Sequence, residues 1–317
     1  MGQLLGIRRN EEIEPVHQAR VASRRLRAAL RMFADCFDAK RAGRWRKSIR
    51  KLTEELGAAR DRDVQIEYVE GFLAGLDEKD RANRPGVKRL LLRLRQSRET
   101  LQPEVIRTLD KMEENGTLAD MCGEVEKALF TLRSRDTSLW SPFVAKETSD
   151  HIRGRKEALL RCQCALDDPD DAPGHHAMRI ATKKLRYTLE ICNPVYDRQL
   201  ATIIKAIKRA QSLLGDIHDC DVWVTDIDRH MEQERLATIA YFGHSRPFNR
   251  LQSGLRLVRE DRIEHRQQVF AELLQYWKEL DAEQIWSALE DVLESRMGAR
   301  EASCPDVQET QTHDGKE

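Results

Sequence analysis

The feature that most constrains this chain is a helix-forming segment written twice. VHQARVASRRLRAAL begins at Val16 and returns as HHAMRIATKKLRYTL from His175, so His17, Arg20, Arg24 and Arg27 correspond to His176, Arg179, Lys183 and Arg186. At about 100° per residue, positions 17, 20, 24, 27 and 31 fall within an arc of roughly 80°, while Ala19, Ala22, Leu26, Ala29, Phe33 and Phe37 gather on the opposite side. A second block, WRKSIRKLTEELGAARDRDV from Trp45, reappears as IIKAIKRAQSLLGDIHDCDV from Ile203. It pairs Lys47, Arg50 and Lys51 with Lys205, Lys208 and Arg209. The two offsets, 159 and 158 residues, predict two similar halves, and repetition of this kind fixes the architecture before any other feature is weighed.

Helical periodicity runs almost unbroken from Pro15 to about Met297, with hardly any strand signal. The expected fold is all-α: two pseudo-symmetric helical bundles from an internal duplication, with a basic groove or pore between them. The repeats are placed at about 1–135 and 141–296, and 297–317 is expected to be a disordered acidic tail. Helices are expected at about 15–39, 43–57, 61–79, 86–114 and 117–134, then at about 141–166, 175–196, 198–214, 219–236, 248–279 and 282–296. LGAARDRDV and LGDIHDCDV read as helix junctions, with Gly57 and Gly215 ending one helix and Asp61 and Asp219 capping the next. Only Met1 to Glu14 precedes the first key helix, so the counterpart of the helix from Ser141 is either a stub or missing there.

The 54 basic and 54 acidic residues cancel, which alone would argue against a polyanionic partner. Distribution matters more than the sum. Between Arg8 and Arg62 stand 16 Lys or Arg against 8 Asp or Glu, whereas the tail from Glu301 carries five acids and one Lys. No apolar run approaches the roughly 20 residues of a membrane span, and the N-terminus lacks a signal-peptide pattern. A cytoplasmic protein without a membrane partner is expected. Seven scattered cysteines follow no disulfide framework and read as reduced thiols.

The row His17, Arg20, Arg24, Arg27 and Arg31 repels itself, because like charges four residues apart on a helix cost a few tenths of a kcal/mol and no acid appears between Glu14 and Asp35. Something anionic must compensate. A linear polymer of phosphates fits, since Arg forks and Lys point charges recognise phosphate without base-reading groups. A solvated face is the bland alternative for one copy, and recurrence in both halves argues against it. If the first two helices of each half form a hairpin, Lys47, Arg50 and Lys51 can line the same groove, and the duplication supplies a second groove nearby. Asp216, His218, Asp219, Cys220 and Asp221 resemble a metal cluster only superficially, because the first half has Ala58, Arg60, Asp61, Arg62 and Asp63 there. No nucleotide-binding glycine loop, HExxH or GxSxG occurs, so neither catalysis, a cofactor nor a metal is expected.

HxxRVxxRRLR with LGxxRDxDV in the first half, and RIATKKLRYTLE with LGDIHDCDV in the second, resemble the CHAD domain, the conserved histidine α-helical domain, over about residues 1–296. The resemblance implies two four-helix bundles related by a pseudo-two-fold axis, whose basic residues line a central groove or pore. It further implies binding of inorganic polyphosphate and residence at polyphosphate granules. Carried over by motif, the ligand set is His17, Arg20, Arg24, Arg27, Lys47, Arg50 and Lys51 in one half and His176, Arg179, Lys183, Arg186, Lys205, Lys208 and Arg209 in the other. Arg31 extends the first row. Glu190 stands where Arg31 does and His218 where Arg60 does, so the second half is expected to contribute less. Many members carry a fused triphosphate-tunnel domain marked by ExExK; Glu12-Ile13-Glu14 is followed here by Pro15 and Val16, as in a stand-alone member. Two other readings remain open. Nucleic-acid binding would use the same cations but add aromatic platforms, and aromatics are only 6%. A phosphotransfer enzyme would phosphorylate His17 or His176 and needs an acid–base or metal partner.

Overall fold

The computed structural model describes residues 2–9, 13–133 and 141–298. The expected repeat boundary near 135 and the acidic tail from 299 onward, Cys304 included, lie outside them. Ten α-helices occur among the described residues, and no strand. They are α1 (Gly2–Arg9), α2 (Glu14–Met32), α3 (Ala39–Gly75), α4 (Arg84–Glu114), α5 (Thr117–Arg133), α6 (Pro142–Leu160), α7 (Ala172–Cys192), α8 (Ala201–Phe242), α9 (Asn249–Ala282) and α10 (Ile285–Gly298). The short α1, whose Ile7 is fully buried, occupies the place of the stub.

Local chemistry explains the boundaries. Asp38, Ser141 and Asp171 accept hydrogen bonds from the backbone N–H three residues on, at Arg41, Val144 and Gly174, satisfying otherwise orphaned donors. Pro15, Pro85, Pro142 and Pro173 sit in the first turn of their helices, where a missing N–H costs nothing. Gly243, at φ +75°, closes α8 in the left-handed region that glycine enters freely.

The junction reading of the repeated LG motifs is corrected. Gly57 and Gly215 lie inside the unbroken helices α3 and α8, and Asp61 and Asp219 cap nothing. A mid-helix glycine costs roughly 1 kcal/mol, less than is gained by continuing an apolar face that buries Leu56 and Ala59 in α3 and Leu214 and Ile217 in α8. The last aspartate of each motif has a different task. Asp63 pairs with Arg98 of α4 at 2.7 Å, both buried, and Asp221 pairs with Arg266 of α9 at 2.5 Å.

Continuity of α3 and α8 changes the architecture from two bundles to three cores. One core joins α1, α2, the first half of α3, the end of α4 and α5, around Val16, Trp45, Leu56 and Val105. Another joins α6, α7, the start of α8, the end of α9 and α10, around Leu159, Leu185, Leu214 and Trp277. The third is built by the distal parts of the long helices from both halves, through Val69, Val87, Leu91, Trp223, Leu255 and Val258. There α4 and α9 meet at Gly86 and Gly254, where an added Cβ would stand 2.1 Å from Leu251 O and 2.0 Å from Asn83 O respectively. Only glycine permits that approach.

Candidate anion-binding cavity

In α2, Val16, Ser23 and Leu30 face the first core and are buried, which turns Arg20, Arg24, Arg27 and Arg31 the other way. The apolar side is slightly rotated from expectation: Ala22 is exposed, and Phe33 is 44% exposed. Phe33 terminates α2 with non-helical φ −103° and ψ 28°, so it leaves the stripe. In α7, Met178, Ala181, Leu185 and Leu189 are buried, and Arg179 and Lys183 are turned toward α2.

These two faces meet over a cavity of about 430 Å³. Arg20, Arg24, Arg27 and Arg31 line it from α2; Arg179, Lys183, Lys184 and Tyr187 from α7; His151 and Arg155 from α6. Among the described residues no Asp or Glu lines it. The duplicated faces therefore share one cavity, where the helix-hairpin reading placed a groove in each half.

The crowding has electrostatic consequences. Burial lowers the Lys183 ammonium from the ordinary 10.5 to about 8, helped by Arg24, Arg179, Arg27 and Arg20. Burial also lowers the Arg24 guanidinium; Tyr187 opposes this, and Arg20, Arg179 and Arg186 add to it. The Arg24 guanidinium carbon lies 5.9 Å from the Tyr187 ring centroid. Arg27 is lowered by burial and by Arg31, with Glu54 opposing. Acids near the row are few. Asp61 reaches Arg20 at 3.2 Å, and a Cβ at Gly57 would lie 3.6 Å from Arg20 Nε, so the glycine leaves room beside this guanidinium. Burial raises the Asp219 carboxyl, with Arg179 pulling it down and Asp61 pushing it up.

The remaining expected ligands do not line the cavity. His17 is half-buried, while Lys47, Arg50 and Lys51 are exposed; Arg50 pairs with Glu54 at 3.6 Å. Arg186 turns toward Glu190 at 3.5 Å and stacks 4.7 Å over Tyr187. Lys205 and Lys208 are exposed, and Arg209 is held by Glu272 at 3.6 Å and by the Tyr276 ring at 4.3 Å. His176 faces His218, with the two Nδ1 atoms 3.3 Å apart; burial, Arg179 and His176 lower His218 to about 4. The adjacent His175 is structural, its Nε2 bonding Ala165 O at 2.8 Å in the interior.

Sequence reasoning missed His151, Arg155 and Lys184. His151 and Arg155 lie on α6, outside the repeated blocks, so comparing one half with the other could not flag them; their four-residue spacing was the available signal. Among the described residues no cluster of three or more His, Cys, Asp or Glu could hold a metal ion, and no helix is long and apolar enough to cross a membrane.

Comparison with known proteins agrees with the helical pattern. The family model of the CHAD domain matches residues 2–227. The crystal structure of the CHAD domain from the plant Ricinus communis is similar, with a TM-score of 0.55 and 24% identity, covering 80% of this chain and 85% of that one. At that identity the likeness speaks for the fold alone. No match was found among curated proteins.

Proposed function

The chain belongs to the CHAD domain family, and we propose that it binds inorganic polyphosphate without catalysis, in the cavity between α2 and α7, and that it works in the cytoplasm at polyphosphate granules. One observation carries this reading: eight Arg and Lys side chains from three helices line a single cavity, with no acid among its described lining residues. Like charges held this close in a half-buried cavity repel one another, and burial together with four of these arginines lowers Lys183; a ligand of closely spaced negative charges relieves the repulsion. A phosphate chain offers such charges and asks for no base-reading or stacking groups. The cations outside the cavity, Lys47, Arg50 and Lys51 on α3 and Lys205 and Lys208 on α8, are places where a long chain continues over the surface.

The test is displacement of fluorescent long-chain polyphosphate by unlabelled long-chain polyphosphate, tripolyphosphate, single-stranded DNA, RNA and heparin at matched charge. The reading requires polyphosphate to compete best. If nucleic acid displaces the probe more strongly than tripolyphosphate and polyphosphate do, the protein is a nucleic-acid binder and the reading fails.

A further inference from the structure

We propose that Lys183 is a nucleophile toward acyl phosphates, and that acylation of its Nζ is a modification site that turns the cavity down. The effect on polyphosphate binding rests on the function proposed above; the acylation itself does not.

Amine acylation needs a lone pair on nitrogen and a group that stabilises the departing phosphate. The cavity places both together. Lys183 is half-buried on α7, and Arg20, Arg24, Arg27 and Arg179 line the same 430 Å³. Among the described residues it has no carboxylate or hydrogen-bond partner to hold the ammonium form. Arginines surrounding an amine do double duty: they favour its neutral form, as a neighbouring cation does for other nucleophilic lysines, and they bind the phosphoryl oxygens of the incoming reagent.

Magnitudes favour the site over a surface lysine. With the ammonium at about 8 rather than 10.5, about a quarter of the side chain is uncharged at pH 7.5, against about one part in a thousand for an ordinary lysine. A less basic amine is a weaker nucleophile, by roughly tenfold over that interval if a coefficient like that of thiols applies. In the empty cavity the ionisation gain exceeds that loss by more than tenfold; the bound acyl phosphate gives back part of it by raising the ammonium, and adds the gain of holding the reagent beside the amine.

The step balances without an oxidant or reductant. The Nζ lone pair attacks the carbonyl carbon of R–CO–O–PO₃²⁻, forming a C–N bond. The tetrahedral intermediate collapses by breaking the bond between that carbon and the bridging oxygen. The electron pair leaves with inorganic phosphate, and the amine proton passes to phosphate or water. The product amide carries no charge, so the cavity loses one cation.

Acetyl phosphate is the probe. The full chain is incubated with it between pH 6.5 and 9, and acetylation is followed site by site by mass spectrometry, with exposed Lys205 and Lys208 as internal references. The proposal expects Lys183 to react at least tenfold faster than these, to saturate with acetyl phosphate, to be protected by inorganic phosphate, and to level off above about pH 8. Arg24→Ala should slow Lys183 at pH 7 although the lysine remains. Equal rates at Lys183 and Lys208, or strictly linear dependence on acetyl phosphate, overturns the proposal. Calorimetry with tripolyphosphate separates the two readings. Saturable acetylation without tripolyphosphate binding sinks the proposed function and spares Lys183, whereas binding with unselective acetylation does the reverse.

Discussion

At the scale of single residues, the cavity is a problem of charge. Arg24 lies near Arg20, Arg179 and Arg186, so Arg24→Ala should weaken tripolyphosphate about tenfold to a hundredfold, the loss of one charge-assisted hydrogen bond, while the melting temperature stays level or rises. A fall in melting temperature matching the loss of binding would make Arg24 structural. Lys183 supplies a pH dependence with a definite sign. Its ammonium sits at about 8 when the cavity is empty, and a bound polyanion raises it, so binding takes up a proton near pH 8.5 and none near pH 6.5, and affinity falls as pH rises through 8. Calorimetry in buffers of different ionisation enthalpy reads the uptake directly, and Lys183→Arg should abolish it. Buffer-independent heats at pH 8.5 would contradict the assignment. Of the cations that line the cavity, Arg20, Arg24, Arg27, Arg179 and Lys183 were legible in the sequence because two copies of one pattern can be compared, and Arg31 because it extends the first row. Arg155 was not, because it belongs to α6, which falls outside the repeated blocks. Arg209 was misplaced because its partners, Glu272 and Tyr276, come from α9, more than sixty residues away in sequence.

At the scale of helices, the repeated LG motif was the instructive error. A glycine followed by aspartates has the local chemistry of a helix end, and nothing within a few residues of Gly215 says otherwise. What overrides it is distant: α8 is needed in two cores at once, through Leu214 in one and Trp223 in another. Among the described residues, apart from its chain neighbours and the nearby backbone of its own helix, no atom lies within 4 Å of a Cβ added at Gly215. Gly215→Ala should therefore stabilise the protein by about 0.5–1 kcal/mol, read as a higher denaturant midpoint; a loss of stability would mean that the helix breaks there after all. Asp63 makes the opposite forecast. Because it and Arg98 are both buried, Asp63→Ala removes a buried charge-assisted hydrogen bond and should cost about 1.5–3 kcal/mol, whereas Glu104→Ala, which removes the exposed partner of Arg107, should cost less than about 1 kcal/mol. Equal effects in denaturant unfolding would show that burial of the pair has been misjudged.

At the scale of the whole molecule, the all-α class and the existence of two similar basic faces were legible, since amphipathic period and internal repetition are properties of the chain itself; that the faces meet over one cavity was not, because the hairpin reading gave each half its own groove. The third core was not, because it arises only when α3 and α8 run through their glycines and α4 meets α9 at Gly86 and Gly254. That core holds the halves together, and α2 and α7 together line one cavity. Whether this cavity is a single polyphosphate site built by both halves is decided by titration calorimetry of tripolyphosphate against the wild type, Arg24→Ala, Lys183→Ala and the double variant. A shared site gives one site per chain, loss of affinity from either single change, and a double-variant loss that departs from the sum because the two side chains share one ligand. Two sites per chain, with each single change removing one and leaving the other at wild-type affinity, would contradict it.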